Sequence, residues 1–173
     1  MNPYGMVFSC STDPGWGYAV MRASGSALRV YLDANVVVRG MERTDAGAGE
    51  VGRLIEFAEC DKLELVTSEL TLSEVLVGPI RLGDDILATA YLDLLTNDSI
   101  FELLPVTRDV LIFSSQIRAR SDARLPDCVH VATAKLSGCH LIVSYDRDLC
   151  DLCELDVVEP SHAVFATLDA QSP

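Results

Sequence analysis

Short apolar segments typical of β-strands alternate with amphipathic segments typical of helices along most of the chain. The strand-like segments are residues 29–34, 64–67, 101–104, 140–144 and 157–158. Helical spacing and capping residues predict helices at 47–60, from Ser68 to about Val77 with a stop at Gly78-Pro79, at 82–96, from Thr107 to about Arg120, and from Pro126 to Gly138. This alternation predicts an α/β fold, in which a parallel sheet carries helices on both faces.

The two ends of the chain differ from this alternating body, which covers residues 28–160. Residues 1–27 are rich in Gly, Pro and Ser and lack an apolar period, so we expect a flexible N-terminal extension. Residues 161–173 are expected to form a C-terminal helix or tail. We see neither a secretory signal nor an apolar run of the roughly 18–20 residues that cross a bilayer. The expectation is a cytoplasmic, single-domain protein with no membrane association.

The charge balance of the chain is strongly acidic. Its 173 residues include 13 Lys and Arg against 26 Asp and Glu, a formal net charge of −13. Proteins that bind nucleic acid through a broad surface use Lys and Arg to neutralise phosphates, so this mode of binding is disfavoured. The charge still allows an enzyme that contacts nucleic acid locally, through a metal ion.

The cysteines raise the question of a zinc or redox site. Cys150 and Cys153 have the C-x-x-C spacing of half a zinc site or of a redox pair. A zinc site needs two further ligands, and the candidates Cys139, His140 and His162 do not form a second spaced pair. Because the chain shows no export signal, we expect reduced thiols, with the C-x-x-C residues in a short helix.

Acidic residues fall where a parallel α/β sheet binds its ligands, which is beyond the carboxyl ends of the strands at the point where strand order reverses. Asp33 ends the first strand, and Asp146, with Asp148 two residues on, follows the fourth. Asp127 lies in the first turn of one helix, and Glu74 lies among apolar residues within another. We expect these acids to meet at one edge of the sheet.

A cluster of this kind favours a hard divalent cation. Carboxylates about 5 Å apart repel one another by roughly 3 kcal/mol, so four of them take up protons or a cation. Oxygen ligands without Cys or His favour magnesium or manganese over zinc. Such an ion activates water and neutralises charge on a phosphate, which indicates phosphodiester hydrolysis.

Several of these residues also have a structural explanation. A strand-end Asp is often a loop residue, and Asp127 suits the dipole of its helix. His130, on the same helical face as Asp127, is interpreted as a packed or hydrogen-bonded histidine rather than a catalytic one. The basic cluster of Arg118, Arg120 and Arg124 is either a solvated helix end or a site that steers RNA phosphates.

Four motifs carry a family resemblance. YLDANVVV, SELTLSEVLVGP, LPDCVHVATA and SYDRDL, in this order and spacing, resemble the PIN-domain ribonucleases, and among them the VapC-like toxins of type II toxin–antitoxin systems. The resemblance covers about residues 28–160. It implies a single PIN-like domain with five parallel strands. One small departure is Leu149, where many relatives carry Phe.

The resemblance also implies an activity, a site and partners. The family's conserved acids correspond to Asp33, Glu74, Asp127 and Asp146, with Asp148 as a variable extra acid. Two polar residues of the family's motifs correspond to Asn35 and Ser144. The implied protein is a magnesium- or manganese-dependent endoribonuclease that acts as a toxin, forms a homodimer and binds a cognate antitoxin.

In this interpretation, the metal is held by Asp33, Asp127 and Asp146, with Glu74 and Asp148 as further candidate ligands. Glu74 also orients or deprotonates the attacking water. A haloacid-dehalogenase-like phosphatase also has an Asp after its first strand, but needs a second Asp where this chain has Asn35. The main alternative is a non-catalytic PIN-fold scaffold that binds proteins and holds a structural cation.

Overall fold

The computed structural model describes residues 27–43, 46–152 and 154–160. The strands are β1 (Leu28–Leu32), β2 (Leu63–Ser68), β3 (Phe101–Leu104), β4 (Leu141–Val143) and β5 (Asp156–Val158). The helices are α1 (Ala34–Glu42), α2 (Ala46–Glu59), α3 (Glu69–Val75), α4 (Val77–Leu82), α5 (Asp85–Leu95), α6 (Arg108–Ala119) and α7 (Leu125–Leu136), with a 3₁₀ helix at Arg147–Asp151. The extension predicted for residues 1–27 lies outside the described residues except for residue 27, and the tail predicted for 161–173 lies wholly outside them.

The sheet is parallel throughout, with strand order β3-β2-β1-β4-β5. Central β1 pairs with β2 at Tyr31 and Val66, and with β4 at Leu32 and Val143. The chain runs outward from β1 through β2 to β3, then returns to build β4 and β5 on the other side. Strand order therefore reverses between β1 and β4, and the carboxyl ends of these strands form a ligand-binding switch point. The predicted five-stranded parallel sheet is confirmed.

Helices cover both faces of this sheet, as predicted. Because side chains alternate along a strand, Val30 and Leu32 of β1 face one core, in which α1, α2, α3 and α5 pack. Tyr31 faces the opposite side and packs with Ile142 of β4 and Val131 of α7. Helix α6 packs in turn on α7. Within the described residues, no helix has the length and apolar character needed to cross a membrane.

Helix α1 was not anticipated from the sequence. Its first turns contain the β-branched run 36–38, which favours strands in isolation. Asp33 caps the helix, its carboxylate accepting a hydrogen bond from the Ala34 amide. The helix lies close to α2, because a Cβ on Gly40 would come within 2.6 Å of a Val51 methyl group. Gly40 therefore permits the close approach of the two helices.

The prediction that one helix runs to a stop at Gly78-Pro79 is wrong. Helix α3 ends at Val75, and α4 begins at Val77 with Pro79 in its first turn. Proline is tolerated there, because amides in the first turn have no partner within the helix. The segment ends instead at Gly83, whose φ of +66° suits a residue without a Cβ.

Candidate active site at the carboxyl edge of the sheet

Asp33 lies at the carboxyl end of β1 and is almost completely buried, with 7% of its surface exposed. One carboxylate oxygen, Oδ1, accepts a hydrogen bond from the Ala34 amide at 2.7 Å. The other, Oδ2, accepts from Asn35 Nδ2 and from Ser144 Oγ, each at 2.7 Å. Three hydrogen-bond donors therefore fix the orientation of this carboxylate.

Ser144 and Asn35 connect the end of β1 to the turn after β4. Ser144 Oγ accepts hydrogen bonds from the Asp146 amide at 2.9 Å and from Asn35 Nδ2 at 3.0 Å, while Asn35 Oδ1 accepts one from the Tyr145 amide at 3.2 Å. These bonds join the two neighbouring strand ends at the switch point. The Ser144 hydroxyl consequently links the carboxylate of Asp33 to the backbone amide of Asp146.

Asp127 and Asp146 are brought together by the exposed side chain of Arg124. Arg124 Nε donates to Asp127 Oδ2 at 3.0 Å, and its Nη2 lies 3.2 Å from Asp127 Oδ1 and 3.4 Å from Asp146 Oδ2. Asp148 is exposed, and its amide donates to Asp146 Oδ1 at 3.0 Å. Thus one guanidinium group contacts two of the predicted acids, and Asp148 supports the turn beside them.

Glu74 and Asp33 approach each other around His130. Glu74, on α3, places Oε2 2.7 Å from His130 Nε2, and Asp33 Oδ1 lies 3.8 Å from the same nitrogen. His130 follows Asp127 by one turn of α7, so this helix contributes to both halves of the site. The four acids predicted from the sequence thus converge on the edge formed by β1, β4, α3 and α7.

The network also contains residues whose part the sequence reasoning missed. His130 was interpreted as a packed or hydrogen-bonded residue, and it is buried and hydrogen-bonded, but it contacts two of the predicted acids. Its spacing of three residues from Asp127 was the available signal. Tyr31, whose hydroxyl lies 2.7 Å from His130 Nδ1, was not singled out. It is the first residue of the YLDANVVV motif, but in the sequence it resembles an ordinary apolar strand residue.

Electrostatics favour neutralisation of this site. Burial raises the pKa of Asp33, and nearby Glu74 adds to this effect, while His130, Ser144 and the Ala34 amide oppose it. The pKa of Arg124 is raised by its hydrogen bond with Asp127 and further by the charges of Asp127, Asp146 and Asp148. A buried carboxylate beside further acids is a place where a bound cation lowers the free energy.

The donor set fits a hard divalent ion. Asp33, Glu74, Asp127 and Asp146 offer carboxylate oxygens, which magnesium and manganese prefer. A cationic group, the guanidinium of Arg124, already lies against two of them. Among residues 27–43, 46–152 and 154–160, no three His, Cys, Asp or Glu side chains are grouped closely enough to hold a metal. An ion that binds these acids together therefore requires their carboxylates to move closer to one another, and it requires Arg124 to leave Asp127 and Asp146.

The remaining residues singled out from the sequence lie at the end of α6 and in the 3₁₀ helix. Arg118 is in the last turn of α6 and Arg120 caps that helix, both exposed to solvent. Cys150 lies in the 3₁₀ helix as a free, exposed thiol, and its C-x-x-C partner Cys153 lies outside the described residues.

Comparisons with known proteins agree with this architecture. The family model described as PIN domain matches residues 30–155. A toxin–antitoxin complex from Klebsiella pneumoniae is similar with 20% identity and a TM-score of 0.57, over 76% of this chain and 98% of that one. A DNA-bound VapBC from Salmonella typhimurium has 16% identity and a TM-score of 0.63, over 78% and 99% of the two chains. The Mycobacterium tuberculosis toxin VapC20, described as cleaving the sarcin–ricin loop, has 18% identity and a TM-score of 0.58, over 70% and 93%. The curated protein sequences contain no match. At these identities the structural likeness establishes a shared fold.

Proposed function

Because the chain belongs to the PIN domain family, we propose that it is a metal-dependent endoribonuclease and the toxin of a toxin–antitoxin pair. The observation that carries this proposal is the convergence of Asp33, Glu74, Asp127 and Asp146 from four separate segments onto one edge of the sheet. The core of the fold does not require such a cluster, since like charges brought together lower stability unless a cation joins them.

The proposed metal site uses the acids that lie at the switch point, where Arg124 bridges two of them and His130 contacts the other two. Asp33, Asp127 and Asp146 would hold magnesium or manganese, with Glu74 and Asp148 as further candidate ligands. When bound, the ion would supply positive charge that lowers the pKa of water and stabilises charge on the scissile phosphate. Asn35 and Ser144 keep Asp33 oriented through the hydrogen bonds that both donate to it.

Glu74 is the residue that we propose orients the attacking water and accepts its proton. Its side chain is 34% exposed, so water and substrate can reach it, while Oε2 is held by His130. Attack by water on the phosphorus leaves a 5′-phosphate on one product and a 3′-hydroxyl on the other. This division of roles resembles general-base catalysis at other hydrolytic sites, in which the base is within hydrogen-bond reach of the nucleophile.

Contact with RNA would be local rather than extended, because the chain carries a formal net charge of −13. Arg124 lies directly at the acids, and Arg118 and Arg120 lie exposed at the end of the preceding helix α6. We propose that these three arginines contact phosphates that flank the scissile bond. Such contacts position the RNA but do not distinguish its base sequence.

We also propose that a second copy of this chain and a cognate antitoxin bind it in the cytoplasm. FitAcB from Neisseria gonorrhoeae and VapBC2 from Rickettsia felis give support by their similar fold, and the similar structure from Klebsiella pneumoniae is a toxin–antitoxin complex. The contact of Arg124 with Asp127 and Asp146 adds support, because an arginine of an antitoxin could bridge the same carboxylates.

Cleavage of an end-labelled RNA, with and without added metal, tests the proposal. We expect cleavage with magnesium or manganese, none with EDTA, and products with 5′-phosphate ends. Products that carry 2′,3′-cyclic phosphates would rule out attack by water while leaving a nuclease in place. Intact RNA under every metal condition would favour the non-catalytic scaffold, for which the contact of Arg124 with both Asp127 and Asp146 is the favouring observation.

A further inference from the structure

Both ring nitrogens of His130 have partners on other elements of the fold. Nε2 lies 2.7 Å from Glu74 Oε2 on α3, and Nδ1 lies 2.7 Å from the Tyr31 hydroxyl on β1. The side chain of His130 is only 3% exposed. Burying a polar ring is unfavourable unless its nitrogens are hydrogen-bonded, and here both are. His130 therefore links the central strand to the carboxylate of Glu74.

The chemistry of the partners assigns a direction to this chain of hydrogen bonds. An ionised carboxylate only accepts hydrogen bonds, so His130 Nε2 carries the proton that it donates to Glu74. In the neutral ring Nδ1 is then an acceptor, and the Tyr31 hydroxyl donates to it. The hydrogen bond from Tyr31 thus fixes both the tautomer and the ring orientation of His130.

We propose that His130 is a positioning residue that holds Glu74 beside Asp33, with Tyr31 orienting the ring. This inference rests on the proposed nuclease function. Glu74 has a flexible, partly exposed side chain, and the hydrogen bond from His130 restricts it to the side on which Asp33 Oδ1 lies, 3.8 Å from the same nitrogen. Misplacing a catalytic group by about 1 Å can lower a rate by about 100-fold, so such a restraint matters for catalysis.

Packing alone does not explain a histidine at this position. Its neighbours on α7 include the buried residues Val129, Val131 and Ala132, so an aliphatic side chain would fill the space without polar partners. The polar partners of His130 instead lie on the side of α7 that carries Asp127, one turn earlier. We call Asp33, Glu74, Asp127 and Asp146 the acid cluster. The His130 ring therefore belongs with the acid cluster rather than with the apolar core.

Four variants separate positioning from packing. His130→Gln retains an N–H donor near the place of Nε2, His130→Leu retains bulk without a donor, and Tyr31→Phe removes one hydroxyl. Thr133→Val is the matched control, since Thr133 is also buried on α7 but donates to the Val129 carbonyl at 2.8 Å. Melting temperatures of all variants identify those that fold.

With RNA as substrate, we expect kcat to fall by about 10- to 100-fold in His130→Leu, with KM changed by less than about three-fold. His130→Gln should recover most of this loss, Tyr31→Phe should lose several-fold, and Thr133→Val should match the parent. Equal kcat values for folded His130→Gln and His130→Leu would overturn the proposal, because a packing role does not distinguish an amide donor from an aliphatic group of similar size.

A measurement on the metal-free protein tests the same hydrogen bonds without relying on cleavage. In ¹⁵N-labelled protein, long-range proton–nitrogen correlations should show that His130 Nε2 carries a proton, and Glu74→Gln should shift that signal. A ring protonated only on Nδ1, or one unaffected by Glu74→Gln, would overturn the proposal. Failure of the parent to cleave RNA would count against the nuclease function and would leave this spectroscopic result unchanged.

Discussion

Arg124 and Asp127 form a bidentate ion pair, in which Arg124 Nε lies 3.0 Å from Asp127 Oδ2 and Nη2 lies 3.2 Å from Oδ1. The same guanidinium lies 3.4 Å from Asp146. Because Arg124 is largely exposed, this pair contributes little to stability. Its importance is its position, since a cation that the chain itself supplies lies between two proposed metal ligands.

Replacing Arg124 should therefore strengthen metal binding. In Arg124→Gln, manganese no longer competes with the guanidinium for Asp127 and Asp146, and we expect its Kd to fall by about two- to five-fold. The KM for RNA should rise in the same variant, because a phosphate contact is lost. Titration calorimetry with manganese measures the first effect. Arg118→Gln, at the exposed end of α6, is the control and should leave the Kd unchanged, and equal Kd values for all three proteins would contradict the competition.

Much of the sheet could be predicted from the sequence, for a physical reason. Buried parallel strands are largely apolar, so their positions stand out in a chain whose helices are amphipathic. The proximity of Asp33 and Asp146 followed from the same reasoning, because strand ends at a switch point share one edge. Helix α1 was missed because the β-branched run 36–38 favours a strand locally, and packing against α2 overrides that preference.

The interior of the site could not be predicted in the same way. The contact between Glu74 and His130 depends on how α3 and α7 lie against each other, and no local propensity reports this packing. The contact between Tyr31 and His130 joins residues 99 positions apart. The contact between Arg124 and Asp146 depends on the conformation of a long exposed side chain, which a sequence pattern does not predict. Tertiary packing thus sets the contacts, while the sequence pattern identifies the acids.

The close approach of α1 and α2 predicts that Gly40→Ala is destabilising. A Cβ at this position would lie 2.6 Å from Val51 Cγ1, so the helices must move apart or Val51 must change its side-chain conformation. We expect the free energy of unfolding to fall by about 1–3 kcal/mol, even though alanine favours a helix. Urea denaturation measures this change.

Gly52→Ala on α2 is the matched control, because no atom lies within 4 Å of the Cβ that it would add. That variant should be stabilised by about 0.5–1 kcal/mol, as is usual for glycine replaced within a helix. Val51→Ala should cost less stability in the Gly40→Ala background than in the parent, because there it also relieves the contact with the added Cβ. If Gly40→Ala and Gly52→Ala stabilised the protein equally, the contact between α1 and α2 would not be as close as we describe.

Cys139 should make the protein less stable in alkaline solution. Burial raises the pKa of its thiol from 9.0 to about 11, while the hydrogen bond with Ser137 and nearby Arg29 oppose this shift. Between these values the unfolded chain releases a proton that the folded protein retains. The stabilisation is therefore complete below pH 9 and is lost as the pH rises towards about 11, by up to about 2 kcal/mol.

Urea denaturation of the parent and Cys139→Ala at several pH values between 8 and 11 isolates this effect from other alkaline titrations. The free energy of unfolding should fall less steeply with pH in Cys139→Ala than in the parent. Cys60→Ala removes an exposed thiol and should follow the parent. Parallel pH profiles for the parent and Cys139→Ala would show that this thiol has similar proton affinity in the folded and unfolded states.

Removal of the buried charge at Asp33 should separate folding from catalysis. Asp33→Asn keeps the size of the side chain, and in the metal-free protein it relieves the burial of an ionised group near Glu74. The melting temperature should therefore stay within about 4 °C of the parent, or rise. Cleavage should fall by at least about 10- to 100-fold, because the residue would contact the metal directly. Asp127→Asn should lose cleavage to a similar degree.

The pH dependence of stability gives Asp33→Asn a second, independent readout. Because the pKa of Asp33 is raised on folding, the ionised parent is at a disadvantage at neutral pH, and protonation removes this disadvantage as the pH falls through the folded pKa. The stability of Asp33→Asn relative to the parent should accordingly decrease on acidification. Asp151→Asn, which changes an exposed acid in the 3₁₀ helix, should leave both cleavage and the pH profile unaltered. Full cleavage by Asp33→Asn at limiting magnesium would mean that this carboxylate holds no metal, and the scaffold function would then become the better account of the acid cluster.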